Sequence, residues 1–176
     1  MASNLYDIII VPDPVLKETA QEVHGIDDDL RGQMDKMLET MYAAPGIGLA
    51  ANQVNLLNRV LVMDFEQREN EAGSRKPIFM VNPEIVWESE EMSEMDEGCL
   101  SIPGQFATVE RPYSVRVKYL DYDGKEQEGA FEGLGSHCVQ HEIDHLNGVL
   151  FVDYLSSLKR NMIIKKVQKE SKLNAL

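Results

Sequence analysis

Apolar residues recur at helical spacing directly after three aspartates at positions 27–29. The segment carries five of them, Leu30, Met34, Met37, Leu38 and Met41, and it stops before Pro45. Aspartates suit the N-cap and first turn of a helix, where the backbone N–H groups have no helical partner, and proline ends such a pattern. The sequence therefore predicts an amino-terminal helix whose methionines pack in the core.

A second helical pattern lies at the end of the chain. Its apolar residues are Leu155, Leu158, Met162, Ile163 and Val167, which predict an amphipathic helix. From position 155 onward there are six Lys or Arg residues and one acid, a net charge of +5, so the −13 of the whole chain leaves −18 for the rest. Such asymmetry is typical of a tail that meets a polyanion, but a solvated helix face explains it equally well.

Strand patterns occupy the interval between these helices. An apolar run at Val60–Met63, a second at 77–87 interrupted by Asn82-Pro83, and alternating apolar and polar residues at Ser114–Leu120 each predict a strand. Asp123-Gly124 predicts a hairpin turn into residues 125–132. Residues 66–76 are polar and predict a loop, whereas the six acids within 87–97 indicate a solvated rim.

Composition narrows the class of protein. With 43% apolar and 27% charged residues over 176 positions, the chain resembles a globular protein and not a disordered one. We expect residues 1–176 to form a single domain. The net charge of −13 argues against a general nucleic-acid binder. No apolar run has the length of a signal or a membrane span, and two cysteines make no disulfide framework, so we expect an intracellular protein.

The strongest chemical signal is the segment from 135 to 148. His141 and His145 are four residues apart, so on a helix both imidazoles face the same way and can reach one cation. Glu142 follows the first histidine and lies beside the metal, where a general base belongs. Gly148 tolerates the left-handed conformation that ends helices. The pattern predicts a metal-binding helix.

A catalytic metal site needs a third protein ligand. Candidates are Cys99, Cys138, His137 and a downstream carboxylate. Cys138 is more typical of a small buried residue, and His137 lies on the same straight helix, which suits a pocket wall better than a ligand. Cys99 comes from a separate, bend-rich segment and ranks first.

Three segments together resemble the motifs of the peptide deformylases: GIGLAANQ at 46–53, EGCLS at 97–101 and QHEIDH at 140–145. Their order and spacing agree with that family, and the likeness covers nearly the whole chain, including a carboxy-terminal helix of the Gram-negative type. The resemblance implies an α+β fold, with small, mostly antiparallel sheets around the central metal-binding helix and with helices near both termini.

The resemblance also implies a site. Cys99, His141 and His145 would bind one divalent ion with water in the fourth position; Fe(II) is expected physiologically, and Zn(II), Ni(II) or Co(II) are possible in a purified sample. The water would attack the formyl carbon of an N-terminal formylmethionine, with Glu142 as general acid and base. Formate would leave a nascent polypeptide, and the Gln53 side chain and Leu100 N–H would stabilise the oxyanion.

Substrate binding is expected to resemble strand addition. The expected binding residues are Gly46, Ile47, Gly48, Gly98, Leu134, His137 and Cys138. The chain departs from the family pattern at His137 and Phe106, which leaves its side-chain preference open. Arg111 is expected to pair with Asp144 and fix the helix.

Other classes of protein make different predictions. A zinc endopeptidase would need a third ligand after His145, where only Asp153 and Glu170 are acidic, and a catalytically inactive binding module would lack Glu142 or Gln53. The basic tail suggests contact with the ribosome and its RNA; no membrane or DNA partner is expected. We expect a bacterial cytoplasmic enzyme, or an organellar one if the chain is a processed form.

Overall fold

The computed structural model describes residues 4–66 and 73–174. The helices are α1 (Asp28–Ala43), α2 (Leu134–Leu146) and α3 (Ser157–Asn174), with short 3-10 helices at Pro14–Lys17, Ala51–Val54 and Phe151–Tyr154. The strands are β1 (Gly48–Ala50), β2 (Val60–Met63), β3 (Ile78–Glu88), β4 (Met92–Cys99), β5 (Ile102–Pro112), β6 (Ser114–Leu120) and β7 (Glu126–Glu132). Part of the loop predicted at 66–76, residues 67–72, lies outside the described residues.

The strands form two antiparallel sheets. One has five strands in the order β1-β2-β3-β6-β7, and the other pairs β4 with β5. Helix α2 packs against the larger sheet through Cys138, Val139, Ile143 and Leu146. Helix α1 packs through its methionine stripe against Val60 and Val62. The α+β prediction, with mostly antiparallel sheets around the histidine-bearing helix, is confirmed.

Helix α1 begins and ends where the sequence predicts. Asp27 is the N-cap, and its carboxylate accepts a hydrogen bond of 2.8 Å from the N–H of Leu30. Met34, Met37 and Met41 are fully buried. Because the stripe is packed among apolar neighbours, it serves the core and needs no ligand.

Strand β3 continues through Asn82-Pro83, where the sequence suggested an interruption. Asn82 adopts a positive φ of 51°, and the pairing with β6 shifts register between Val81 and Glu84. The Asn82 side chain is hydrogen bonded to both the N–H and the carbonyl of Val23. Pro83 has no N–H to donate to a neighbouring strand. The bulge places it where the pairing with β6 is interrupted, so the strand can continue beyond it.

Two sequence interpretations need correction. Helix α3 exists and buries the predicted Val167, with Ile163 packed beside it, but the predicted Leu158 and Met162 point to solvent, at 72% and 62% exposure. The acidic segment at 87–97 is not simply a solvated rim, because it contains most of strand β4. Its burial alternates, and Glu97 is buried.

Helix α2 occupies the centre of the molecule, and eleven of its 13 residues are buried. Its C-cap is Asn147, and Gly148 follows with a φ of 74°. A Cβ at Gly148 would lie 2.4 Å from the carbonyl oxygen of Lys17, so glycine is required there both for the turn and for the close contact. Among the described residues, every helix is too short or too polar to span a bilayer.

Candidate metal centre and active site

Three side chains that could hold a metal ion converge between α2 and the end of β4. The ligand atoms of Cys99, His141 and His145 all lie within 4.8 Å of one another. Nε2 of His145 is 3.3 Å from Sγ of Cys99 and 3.2 Å from Nε2 of His141. The helix supplies two imidazoles one turn apart, and the strand brings in the sulfur from a segment more than forty residues earlier in the chain.

The orientation of the histidines fits a bound cation. His141 donates through Nδ1 to a carboxylate oxygen of Glu97 at 2.9 Å, which turns its Nε2 toward Nε2 of His145 at 3.2 Å. Burial, followed by the nearby charge of His141, lowers the pKa of His145 and favours its neutral form. Burial alone would lower the pKa of His141, but its contact with Cys99 and the charge of Glu142 raise it. A divalent ion bound here would hold both imidazoles neutral and Cys99 as a thiolate, the N and S donor set that suits transition metals.

Glu142 lies next to this cluster and is 3% exposed. Its Oε1 is buried without a hydrogen-bond partner among the described residues. Burial raises the pKa of Glu142 to about 7, although the charge of His141 opposes this rise. The carboxyl group is therefore suited to take up and release a proton near neutral pH.

Gly48 provides the space that Glu142 occupies. A Cβ at position 48 would lie 2.6 Å from Oε2 of Glu142, and a Cβ at Gly46 would lie 2.7 Å from the side chain of Leu100. The sequence suggested that these glycines admit a peptide backbone. In the structure, the side chains of Glu142 and Leu100 occupy the space beside these two glycines.

Gln53 turns its amide nitrogen toward the cluster. Its Oε1 accepts a hydrogen bond of 2.9 Å from the N–H of Ala50, which fixes the orientation of the amide. Its Nε2 donates to Oγ of Ser101 at 3.0 Å and is 3.5 Å from Sγ of Cys99. Gln53 is buried in the 3-10 helix Ala51–Val54.

The cluster opens into a cleft of about 630 Å³. Of the thirteen residues predicted for the site, all except the deeper-lying His145 line it, namely Gly46, Ile47, Gly48, Gln53, Gly98, Cys99, Leu100, Leu134, His137, Cys138, His141 and Glu142. The structure therefore brings the sequence-predicted residues together at one place.

Glu97 is the main residue that the sequence analysis missed. Its carboxylate accepts hydrogen bonds from Arg111 through Nε at 2.6 Å and Nη2 at 2.9 Å, from His137 at 3.0 Å and from His141 at 2.9 Å. Burial alone would raise its pKa, but the hydrogen bonds from His141 and Arg111 outweigh burial and lower the pKa to about 2. Residues two apart on a strand share a face, so Glu97 could have been found from the position of Cys99.

The expected pair between Arg111 and Asp144 is confirmed, at 2.9 Å. Asp144 also accepts a hydrogen bond of 2.7 Å from the hydroxyl of Tyr154, whose ring lies 4.9 Å from the guanidinium. Arg111 thus links Glu97, the hydrogen-bond partner of His141, to the last turns of α2. The guanidinium group is buried and makes both contacts at once.

His137 and Cys138 form part of the cleft wall. The Glu97 carboxylate can only accept, so Nδ1 of His137 carries the proton and Nε2 accepts from the hydroxyl of Ser93 at 2.9 Å. Both ring nitrogens are therefore hydrogen bonded to Ser93 and Glu97, and neither is available as a ligand beside Cys99, His141 and His145. Sγ of Cys138 lies 3.6 Å from the carbonyl oxygen of Ile47, and burial raises the pKa of this thiol. A protonated, buried thiol is a wall residue, not a metal ligand.

The downstream carboxylates do not join the cluster. Asp153 accepts a hydrogen bond from the N–H of Leu150 and pairs with Lys17, whereas Glu170 lies on α3 beside Gly104. A metal ligand set completed after His145, as an endopeptidase would require, is not formed by these residues. A Cys-His-His group that could hold a metal ion, with a buried carboxyl beside it and a cleft in front of it, is the arrangement typical of metal-dependent hydrolases.

Comparison with known proteins agrees with this class. Residues 5–161 match the family model for polypeptide deformylase. A peptide deformylase from Methylocella silvestris is 53% identical over 171 residues, covering 97% of this chain and 87% of that protein. The crystal structure of peptide deformylase from Ehrlichia chaffeensis has a TM-score of 0.91 and 42% identity, covering 98% and 99% of the two chains. The same enzyme in complex with actinonin has a TM-score of 0.88 at 44% identity, covering 94% of this chain and 97% of that one.

The chain belongs to the peptide deformylase family. It is a hydrolase that removes the N-formyl group from nascent polypeptides. A Cys-His-His group that could bind a metal is present, as a metal-dependent family requires.

Proposed function

We propose that Cys99, His141 and His145 hold one divalent metal ion and that Glu142 is the general acid and base of deformylation. The observation that carries this proposal is the convergence of the three ligand atoms within 4.8 Å of one another. The inward orientation of Nε2 of His141, fixed by the hydrogen bond from Nδ1 to Glu97, and the unpartnered carboxylate oxygen of Glu142 support it. Fe(II) is the proposed physiological ion, and Zn(II), Ni(II) or Co(II) would suit the same donors in a purified sample.

Cys99, His141 and His145 would hold the ion, which when bound would supply Lewis acidity for the formyl carbonyl and for a water molecule. Glu142 takes a proton from the attacking water and delivers it to the departing amine, so that formate and a free amino terminus are released. The buried carboxyl, whose pKa is about 7, suits both transfers near neutral pH.

Gln53 and Leu100 stabilise the oxygen that becomes negative at the formyl carbon. The donors are Nε2 of Gln53 and the backbone N–H of Leu100, and both residues line the cleft. The hydrogen bond from Ala50 to Oε1 supports this role for Gln53, because it turns the donor end of the amide inward. Loss of one such donor typically costs about 3 kcal/mol of transition-state stabilisation.

The formylmethionyl peptide binds in the cleft as an added strand. Its backbone pairs near Gly46, Gly48 and Gly98, and its methionine side chain enters among Ile47, Leu134, His137 and Cys138. The hydrogen bonds of His137 support this placement, because both of its ring nitrogens already have partners in Ser93 and Glu97. The ring carbons therefore contribute apolar surface that suits a thioether chain.

Formate release from a formyl-Met tripeptide, measured anaerobically beside the acetylated analogue, tests the proposal. We expect formate from the formyl peptide only. The chain offers a matched pair of cysteine variants: Cys99→Ala should lose bound metal and activity, whereas Cys138→Ala should retain the metal. Full metal content in Cys99→Ala would contradict the ligand assignment, and cleavage of an internal peptide bond would favour an endopeptidase.

We also propose that α3 contacts the ribosome. Its Lys159, Lys165, Lys166, Lys169 and Lys172 are exposed, and rRNA is a polyanion beside which nascent chains emerge. A cytoplasmic location in a bacterium is proposed with it, because the formylated chains are made there. Binding of this kind weakens steeply as salt concentration rises.

The test replaces charges and leaves the helix intact. Because Val167 is buried, deletion of 156–176 would disturb the core, so Lys165→Glu, Lys166→Glu and Lys169→Glu together are preferable. The control reverses three exposed charges elsewhere, at Arg116, Lys118 and Lys125. Co-sedimentation with ribosomes should fall only in the α3 variant. Equal binding by both variants would end the proposal.

A further inference from the structure

Three large apolar side chains are exposed at the mouth of the cleft, on three different elements. Phe106 of β5 is 70% exposed, Leu134 at the start of α2 is 47% exposed, and Ile47 before β1 is 40% exposed. The remaining exposed large apolar side chains of the described residues lie outside this cleft. Clustered apolar surface next to a binding site is typical of a surface that a ligand covers.

The ring of Phe106 has a fixed position over Gly98. The two residues are opposite each other in the β4–β5 pair. A Cβ at Gly98 would lie 2.4 Å from a ring carbon of Phe106, so the ring lies directly over the glycine backbone. This contact explains where the ring lies. It does not explain why most of an aromatic side chain remains in water.

The charges around the rim are acidic. Asp96 is exposed and lines the cleft, and a carboxylate oxygen of Glu170 lies 3.9 Å from the Cβ position at Gly104, another lining residue. None of the described residues that line the cleft is Lys or Arg. An acidic side chain of a bound peptide would meet like charges here, whereas an apolar one would meet the Phe106 ring.

We propose that Phe106 is a specificity-determining residue that selects formylated peptides with an aromatic or large aliphatic second or third residue and disfavours acidic ones. The proposal rests on the proposed binding of the methionine side chain in the cleft. Alternate side chains of an extended peptide point to opposite sides. With the methionine side chain inside, one of the next two residues faces the rim and covers the Phe106 ring.

The test compares kcat/KM across formyl-Met peptides that carry Phe, Leu, Ser or Asp at the second position, and then at the third. In the unmodified enzyme, Phe at one position should exceed Asp by roughly three- to tenfold, the range expected of one aromatic contact. Phe106→Ala should abolish this ratio. Phe106→Arg should reverse it, because the guanidinium would attract the acidic peptide.

Trp87→Ala is the matched control, since Trp87 is 46% exposed on β3 and lies outside the cleft. It should leave the ratio unchanged. If Phe106 served only to cover Gly98, its variants would lower the melting temperature and affect all peptides equally. A flat peptide series, or a ratio that survives Phe106→Ala, overturns the proposal. Absence of formate from every formyl peptide would instead contradict the proposed function.

Discussion

Replacement of Arg111 by leucine should destabilise the chain and weaken metal retention together. Arg111 is 3% exposed and donates three hydrogen bonds, two to Glu97 and one to Asp144. Leucine removes the cation but leaves the Glu97 carboxylate buried, with only the two imidazole N–H donors. Asp144 is less affected, since it is partly exposed and keeps the Tyr154 hydroxyl.

The expected cost follows from this burial. Removal of one partner of a buried ion pair typically costs about 3–5 kcal/mol, because an uncompensated charge remains. For a domain of this size each kcal/mol lowers the melting temperature by about 2–4 °C, so a fall of roughly 10 °C is expected. Glu97 also orients His141, and its disturbance should therefore speed metal loss to a chelator.

Thermal unfolding followed by circular dichroism and the metal content per chain measure the two effects. Lys76→Leu is the control, because Lys76 forms an ion pair of 3.4 Å with Glu66 and both side chains are more than half exposed. Surface pairs of this kind contribute little to stability, so the control should melt close to the unmodified protein. Unchanged melting and unchanged metal content in Arg111→Leu would refute the reasoning.

Three further substitutions test the site. Glu142→Gln should lower kcat by about 10²- to 10⁴-fold while metal content stays constant; a smaller loss would remove Glu142 as the general base. Gly48→Ala should lower kcat, because the added methyl would lie 2.6 Å from the Glu142 carboxylate, and a crystal structure with Glu142 unmoved would contradict this. His137→Leu should keep the cleft wall but remove one hydrogen-bond donor from Glu97, so metal should dissociate faster in a chelator competition. Ser93→Ala is its control and should have a smaller effect, because it leaves that donor in place.

Local patterns predicted the elements where one interaction dominates. Strands β2 and β6 follow the predicted bounds. The apolar run of β2 is too short for a buried helix, and the strict alternation of β6 fits a strand with one buried face. For α3 the predicted apolar set was too wide. Ile163 and Val167 pack against the core around Val11 and Phe151, whereas Leu158 and Met162, which have the same helical spacing, are exposed. Spacing alone does not tell which of two apolar stripes meets the core.

The candidate site was predictable as far as its motifs are local. The spacing of His141 and His145 required only a helix, and Cys99 was ranked by the bends around it. Glu97 was not found because its segment was read by composition, as one of six acids. Burial alternates along β4. This alternation, and not the acidic composition, identifies Glu97 as an inward-facing residue.

The position of β4 relative to α2 brings these residues together in one site. Along β4, Ser93, Glu97 and Cys99 each contact a histidine of α2: His137 meets the first two, His141 meets Glu97, and His145 meets Cys99. The three histidines are spaced four apart and share one helix face. A shift of β4 by one residue would turn the carboxylate and the sulfur away from that face. The proposed metal centre therefore depends on how a whole strand is placed against α2, and Arg111, which reaches both Glu97 and Asp144, joins the two elements in that placement.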